Sequence, residues 1–304
     1  MNNGAHRLPD FIAVGPPRTG TTWLDRVLRG HVGLPAGTKE TQFFTWRYGL
    51  GMEWYAAHFK DCPPDLPVGE IAPTYFASAE ARARIAREIP HCKIICTLRD
   101  PVERIYSHYK IWRKIGATKA SFDRVVSHHK ELLSFNNYAF HIREWQQKFG
   151  AENVFVAIYD DSRVNQQKYI DKLCAFIGIP TIDLTGIPWQ SERVQVITSA
   201  PKSHRLARRA RAIKGFLERK RLYRVVDFLT PAFEFCTGRG AKYQPLDLET
   251  QARVRERFRS EVEDLEALLH RDLSAWKWPE PAARTLSEYE TSSQRAPDRS
   301  RSAG

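Results

Sequence analysis

Along the first 180 residues the apolar positions switch repeatedly between two periods. Phe11–Val14 is a short apolar run that stops at Gly15, and Trp23, Leu24, Val27 and Leu28 then recur at helical spacing. Val68–Ala72 reads as a strand and the Ala/Arg-rich stretch Ser78–Glu88 as a helix. Lys93–Leu98 (KIICTL) has the run of a strand buried on both faces, and Ile105, Tyr109 and Trp112 mark the helix after it. Val154–Tyr159 (VFVAIY) is a further strand, followed by helix-spaced Tyr169, Leu173 and Phe176. Strand and helix in alternation predict an α/β fold: a central parallel sheet flanked by helices on both faces. The C-terminal portion reads as helical, with Val254, Phe258, Val262, Leu265, Leu269 and Leu273 on one stripe.

Composition narrows the class. A chain of 304 residues with 42% hydrophobic side chains can bury a sizeable core, so a disordered chain is excluded. We expect one domain over residues 1–278, with an α/β core at about 9–180 and a helical part at about 200–278. The segment 279–304, whose only large apolar side chains are Leu286 and Tyr289, reads as a disordered tail. No apolar run approaches the ~18 residues of a membrane span. MNNGAHRLPDFIAVG lacks the basic-then-apolar pattern of a signal peptide, so a cytoplasmic location, peripheral to an inner membrane at most, is the expectation. Five scattered cysteines without a C-x-x-C read as reduced thiols, and no metal site is predicted. The charge of +12 calls for an anionic partner, and it is concentrated. Residues 202–224 hold ten Lys/Arg and one acid, with Leu206, Ala210, Ile213 and Leu217 at helical spacing. Such a basic amphipathic helix is either a solvated helix packed on the domain or a contact to an anionic membrane surface or polyanionic acceptor.

The segment carrying most chemistry is Gly15-Pro-Pro-Arg-Thr-Gly-Thr-Thr-Trp23, between a strand and a helix. Backbone N–H groups at a helix start bind phosphate-like anions. Gly20 allows close approach, Thr19, Thr21 and Thr22 add hydroxyls, and Arg18 adds a planar fork of donors. The pattern resembles the nucleotide P-loop, yet Thr21 stands where that loop has Lys, which disfavours a magnesium–triphosphate site. Arg99 closes an apolar strand, where open α/β sheets bind ligands. Asp100, Pro101 and Glu103 have the spacing of a capped helix start.

Three ordered motifs resemble the sulfotransferases that use 3′-phosphoadenosine 5′-phosphosulfate (PAPS), particularly the heparan-sulfate N-/3-O-sulfotransferase-like members. GPPRTGTTWL is similar to their 5′-phosphosulfate loop. Lys39-Glu-Thr-Gln-Phe-Phe44 with the following G-x-x-W-Y resembles their K/E-E-x-x-F-F segment, and Arg99-Asp-Pro-Val-Glu-Arg-Ile-Tyr-Ser-His-Tyr109 their 3′-phosphate block. The resemblance implies a P-loop-type sheet and metal-independent, in-line sulfuryl transfer to a hydroxyl or amine of a glycan, lipid or small natural product. It implies that Arg18, Thr19, Gly20, Thr21, Thr22 and Trp23 hold the 5′-phosphosulfate, that Arg99 and Ser107 hold the 3′-phosphate, and that Arg239 assists. Glu40 takes the place of the general base, Arg18 stabilises the leaving oxygen, and Gln42, Phe44 and Glu70 are acceptor-side candidates. Ile71 replaces a family Lys in Glu70-Ile-Ala-Pro-Thr-Tyr, which detaches this chain from the glycan enzymes' acceptor choice. Arg104 is expected as a solvated helix charge and His108 as a helix-surface side chain. The competing readings are a P-loop kinase or NTPase, and a polyanion-binding protein that uses the basic helix. No specific nucleic-acid partner is expected.

Overall fold

In the computed structural model, residues 7–185, 197, 199–220, 222, 224–226, 228–231 and 241–278 are described. Strands β1 (Phe11–Ala13), β2 (Gly69–Ile71), β3 (Lys93–Leu98) and β4 (Val154–Ile158) form one parallel sheet in the order β2-β1-β3-β4. The predicted strands thus all exist, within a residue or two of the periodic runs. Successive residues of each strand point to opposite faces, and both faces are covered. Ile12, Ile94, Cys96 and Leu98 pack beneath helices α2 (Ala79–Glu88), α4 (Tyr138–Phe149) and α7 (Leu248–Leu269). Phe11, Ala13, Ile95 and Ala157 pack on the other face against α1 (Thr21–Leu28) and α5 (Gln166–Ile177). Helix α3 (Pro101–Lys114) leaves the end of β3 and buries Val102, Ile105 and Tyr109 against Phe122, Val125, Val254 and Phe258.

The chain turns from β1 to β2 on one side and then crosses to β3 on the other. The strand order therefore reverses between β1 and β3, and the crevice at their carboxyl ends is the usual ligand position of an open α/β sheet. Gly15 follows β1 there and Arg99 follows β3. The two strand ends are in intimate contact: a Cβ on Gly15 would lie 2.2 Å from the Thr97 backbone nitrogen.

The start of α3 is built as its sequence predicts, with one difference. The Asp100 carboxylate accepts from the backbone N–H groups of Val102 (2.8 Å) and Glu103 (3.0 Å), and Pro101 occupies the first turn. The Glu103 side chain does not fold back to complete a capping box; it is drawn to Arg99. From α7, Arg255 reaches the Asp100 carboxylate (2.6 Å) and the Trp276 carbonyl (2.7 Å), tying the C-terminal portion to this helix start.

Arg104 departs from expectation. It is fully buried, donating to the Asn136 side chain and to the Leu132 carbonyl (2.7 Å), so it anchors α3 to the loop before α4. His108 is half-buried between Trp112 and Phe135, and burial with neighbouring Arg104 and Arg18 pushes its pKa down to about 3. The basic segment forms α6 over His204–Arg219, shorter than its charge run. Arg239, Cys236 and residues 279–304 lie outside the described residues; Cys62, Cys92, Cys96 and Cys174 are free thiols.

Candidate active site

The loop after β1 is held open by unusual backbone angles. Gly20 has φ +87° and its α-carbon faces the Tyr159 ring, so a Cβ there would sit 2.4 Å from that ring. Arg18 has φ +81°, a conformation that costs a non-glycine residue of the order of 1 kcal/mol or more and is retained mainly where the surroundings enforce it. Helix α1 begins immediately after Gly20 without a side-chain cap and without an acidic residue in its first turn. No carboxylate of that first turn offsets the positive end of its backbone dipole.

The hydroxyls of the loop divide between two tasks. Thr19, expected to face an anion, is fully buried; its hydroxyl donates to the Pro16 carbonyl (2.7 Å) and is paired with the Thr97 hydroxyl (2.7 Å). It latches the loop to β3. Trp23 likewise points into the core, edge-on to Tyr169, because its position on α1 faces the sheet. Thr21 instead meets Lys39, whose ammonium donates to Thr21 Oγ1 (3.3 Å) and to Glu40 Oε1 (2.8 Å). That single side chain brings the candidate base next to the anion loop.

On the other flank Arg18 Nε donates to Ser107 Oγ at 2.9 Å, joining the loop to α3 across 89 residues of sequence. Arg99 sits beside them, held by Glu103 (Nε to Oε2 2.9 Å) and lying over the Tyr159 ring at 5.3 Å. Burial, and then the charge of Arg99, lower the Arg18 pKa to about 10, so the guanidinium remains charged near neutrality but is crowded by a like charge. Lys110, one turn beyond Ser107, is also lowered, by burial and then by Arg99. Arg18 and Arg99 meet at the crevice between β1 and β3, with Glu103 beside Arg99, while the Lys110 ammonium lies over the Tyr106 ring at 4.1 Å, within electrostatic reach of both arginines. Such a cluster favours an anion with more than one charged group.

Two acceptor-side candidates are relocated. Glu70 is fully buried on β2, where Oε1 accepts from the Thr41 backbone N–H (2.9 Å) and hydroxyl and Oε2 accepts from the Tyr55 hydroxyl (2.8 Å), with the Tyr75 hydroxyl also near (3.3 Å). Burial raises its pKa while these donors oppose the rise. It is a strut for the loop that presents Lys39 and Glu40, not an acceptor-facing base. Phe44 is fully buried among Phe43, Tyr55 and Tyr75 and belongs to the core. Gln42 is half-buried with φ +55°, and it starts the turn Phe43–Arg47. Ile71 is buried in β2, so no polar side chain could replace it there without a partner.

Lys39, Tyr159 and Lys110 are side chains around the candidate site that pattern reading did not single out. Lys39 lay inside a recognised motif, but no periodicity tells a loop lysine which way to reach. Tyr159 ends an apolar strand and reads as core until Gly20 and Arg99 are placed against it. Among the described residues no group of His, Cys, Asp or Glu is arranged to hold a metal ion.

Residues 8–200 match the family model described as the sulfotransferase domain. The mouse bifunctional heparan sulfate N-deacetylase/N-sulfotransferase 4 is 27% identical over 291 residues, covering 87% of this chain and 30% of that protein. The membrane-associated sulfotransferase kil1 of Dictyostelium discoideum is 37% identical over 136 residues, covering 41% of this chain and 29% of that protein. This chain thus spans less than a third of the length of the curated relatives it matches. The crystal structure of a sulfotransferase from Alicyclobacillus acidocaldarius has the same fold, with a TM-score of 0.63 at 20% identity over 89% of this chain and 99% of that one. With the family model spanning most of the chain and the anion loop, Arg99 and Ser107 gathered at one crevice, this chain belongs to the sulfotransferase domain family.

Proposed function

We propose that the protein transfers a sulfuryl group from PAPS to a hydroxyl or amine, with Glu40 as the general base. The observation that carries this reading is the meeting of three distant motifs at one loop: Lys39 links Glu40 to Thr21, and Arg18 links the same loop to Ser107. The residues fit a donor with two separated anionic groups. The loop backbone, Thr21 and Arg18 suit the 5′-phosphosulfate, while Arg99, Ser107 and Lys110 suit the 3′-phosphate. Arg239, which lies outside the described residues, remains a proposed helper.

PAPS supplies a sulfuryl group joined to its 5′-phosphate through one bridging oxygen. As the acceptor oxygen or nitrogen bonds to sulfur and the bridging bond breaks, the acceptor's proton passes to a Glu40 carboxylate oxygen. Negative charge then grows on the departing phosphate oxygen. Arg18, still protonated at neutral pH, offsets that charge electrostatically and keeps its own proton. Lys39 holds Glu40 in position and adds positive charge beside the loop. Thr19 keeps the loop in register by its latch to Thr97.

The reading is tested by incubating the protein with radiolabelled PAPS and a panel of hydroxyl and amine acceptors. Label should appear on an acceptor and be slowed in Glu40→Gln. Phosphorylation of the same acceptors from ATP with magnesium, and no transfer of label, would replace it with a kinase.

A further inference from the structure

Helix α6 is joined to the rest of the molecule chiefly through its first turns. Ala207 is buried, and Gly116, just past α3, sits so close that a Cβ on it would lie 2.7 Å from the His204 carbonyl and 3.4 Å from the Ala207 methyl. Beyond that contact the helix presents apolar side chains to solvent. Leu206 and Ile213 are each 45% exposed and Phe216 is 53% exposed, at i, i+7 and i+10 on one sector of the helix. The exposed apolar surface continues past the helix with Leu222 and with Phe228, which is 82% exposed. Arg205, Arg208, Arg209, Arg211, Lys214 and Arg219 are all exposed on the same helix, whose only acid is Glu218.

We propose that α6 docks the protein onto an anionic lipid bilayer, lying in the plane of the interface with Leu206, Ile213 and Phe216 inserted and the arginines at headgroup level. Charge complementarity selects an anionic surface, and the apolar sector selects a bilayer over a dissolved polyanion. A sulfated or phosphorylated chain would engage the arginines but gain nothing from Ile213 and Phe216. A bilayer interface accommodates both, with each basic side chain adding attraction to acidic lipids. Helix α3, on which α6 rests, also carries Ser107 and Lys110, so docking would hold the candidate active site near the lipid surface. The proposal stands apart from the sulfuryl-transfer reading and does not require it.

The test is co-sedimentation of the whole protein with vesicles of phosphatidylcholine alone or mixed with phosphatidylglycerol, at low and moderate salt. Binding is expected to the mixed vesicles only and to weaken with salt. Ile213→Ser/Phe216→Ser and Arg205→Glu/Arg209→Glu should each weaken it roughly tenfold or more, with unchanged melting temperatures. Ile213→Ser alone, a milder change, should weaken it less. Several results would overturn the proposal. These are no binding by the unmodified protein, self-association through this face in its place, or vesicle and heparin binding that depend on the arginines while the serine variants bind as well as the parent.

Discussion

Glu40 and Glu70 are separated by environment. Glu40 lies at the loop surface, its side chain 25% exposed and paired with Lys39. Glu70 is enclosed by four donor groups, the Thr41 N–H and the hydroxyls of Thr41, Tyr55 and Tyr75. Exchange of each for its amide should therefore have opposite consequences. Glu40→Gln preserves shape and removes the proton acceptor, so turnover should fall by ~10²–10⁴ in steady-state kinetics while bisphosphate affinity holds. Glu70→Gln turns an amide N–H₂ toward groups that are themselves donors. Denaturant unfolding should show a loss of about 1–3 kcal/mol, with turnover of the folded protein close to the parent value. A sequence places both carboxylates in motifs but does not tell them apart. Thr19 and Arg104 were misread for the same reason: burial is a tertiary property, and a polar residue beside an anion loop or on a helix gives no local sign of it.

At the scale of elements, what was legible is what rests on periodicity and on caps. Strands β1 and β3 stand where apolar runs end in Gly15 and Arg99, because a strand buried on both faces favours a near-continuous apolar stretch. Asp100-Pro101 starts α3 because both residues satisfy helix-start geometry with local bonds alone. Loop reach is different. That Arg18 meets Ser107 depends on the strand order β2-β1-β3-β4, which brings the ends of β1 and β3 together. From that juxtaposition Arg99, fixed by Glu103 and Tyr159, contributes a pre-positioned charge to the crevice. Arg99→Ala should weaken adenosine 3′,5′-bisphosphate binding by ~1.5–3 kcal/mol in a calorimetric titration, the range of a charge-assisted hydrogen bond. Unchanged affinity would remove Arg99 from the anion site.

For the whole molecule, charge is arranged in layers behind the crevice. Asp160 follows β4, accepts a hydrogen bond from Trp276 Nε1 (3.1 Å), and faces Glu103, Asp100, Arg99 and Arg163. Burial, and then the Glu103 charge, raise its pKa from 3.8 to about 7. The folded protein thus holds a proton that the unfolded chain releases near pH 4. Asp160's own contribution to stability should fall as pH rises from there through about 7 and level off above it, against the opposite trend set by the buried His108, which the unfolded chain protonates near pH 6.5 and the folded one does not. Asp160→Asn keeps an acceptor for Trp276 and cannot ionise. In thermal melts it should gain on the parent protein between about pH 5 and pH 8.

On the proposed function, the crevice between β1 and β3 takes the nucleotide of a sulfuryl donor and not a magnesium–triphosphate. Calorimetric titration with adenosine 3′,5′-bisphosphate and with ATP, each with and without magnesium, addresses it directly. The bisphosphate should bind more tightly, indifferent to magnesium, because Thr21 stands where the nucleotide P-loop has its Lys and the cations stand instead at Arg18 and Arg99. Magnesium-dependent binding of ATP with none of the bisphosphate would contradict it.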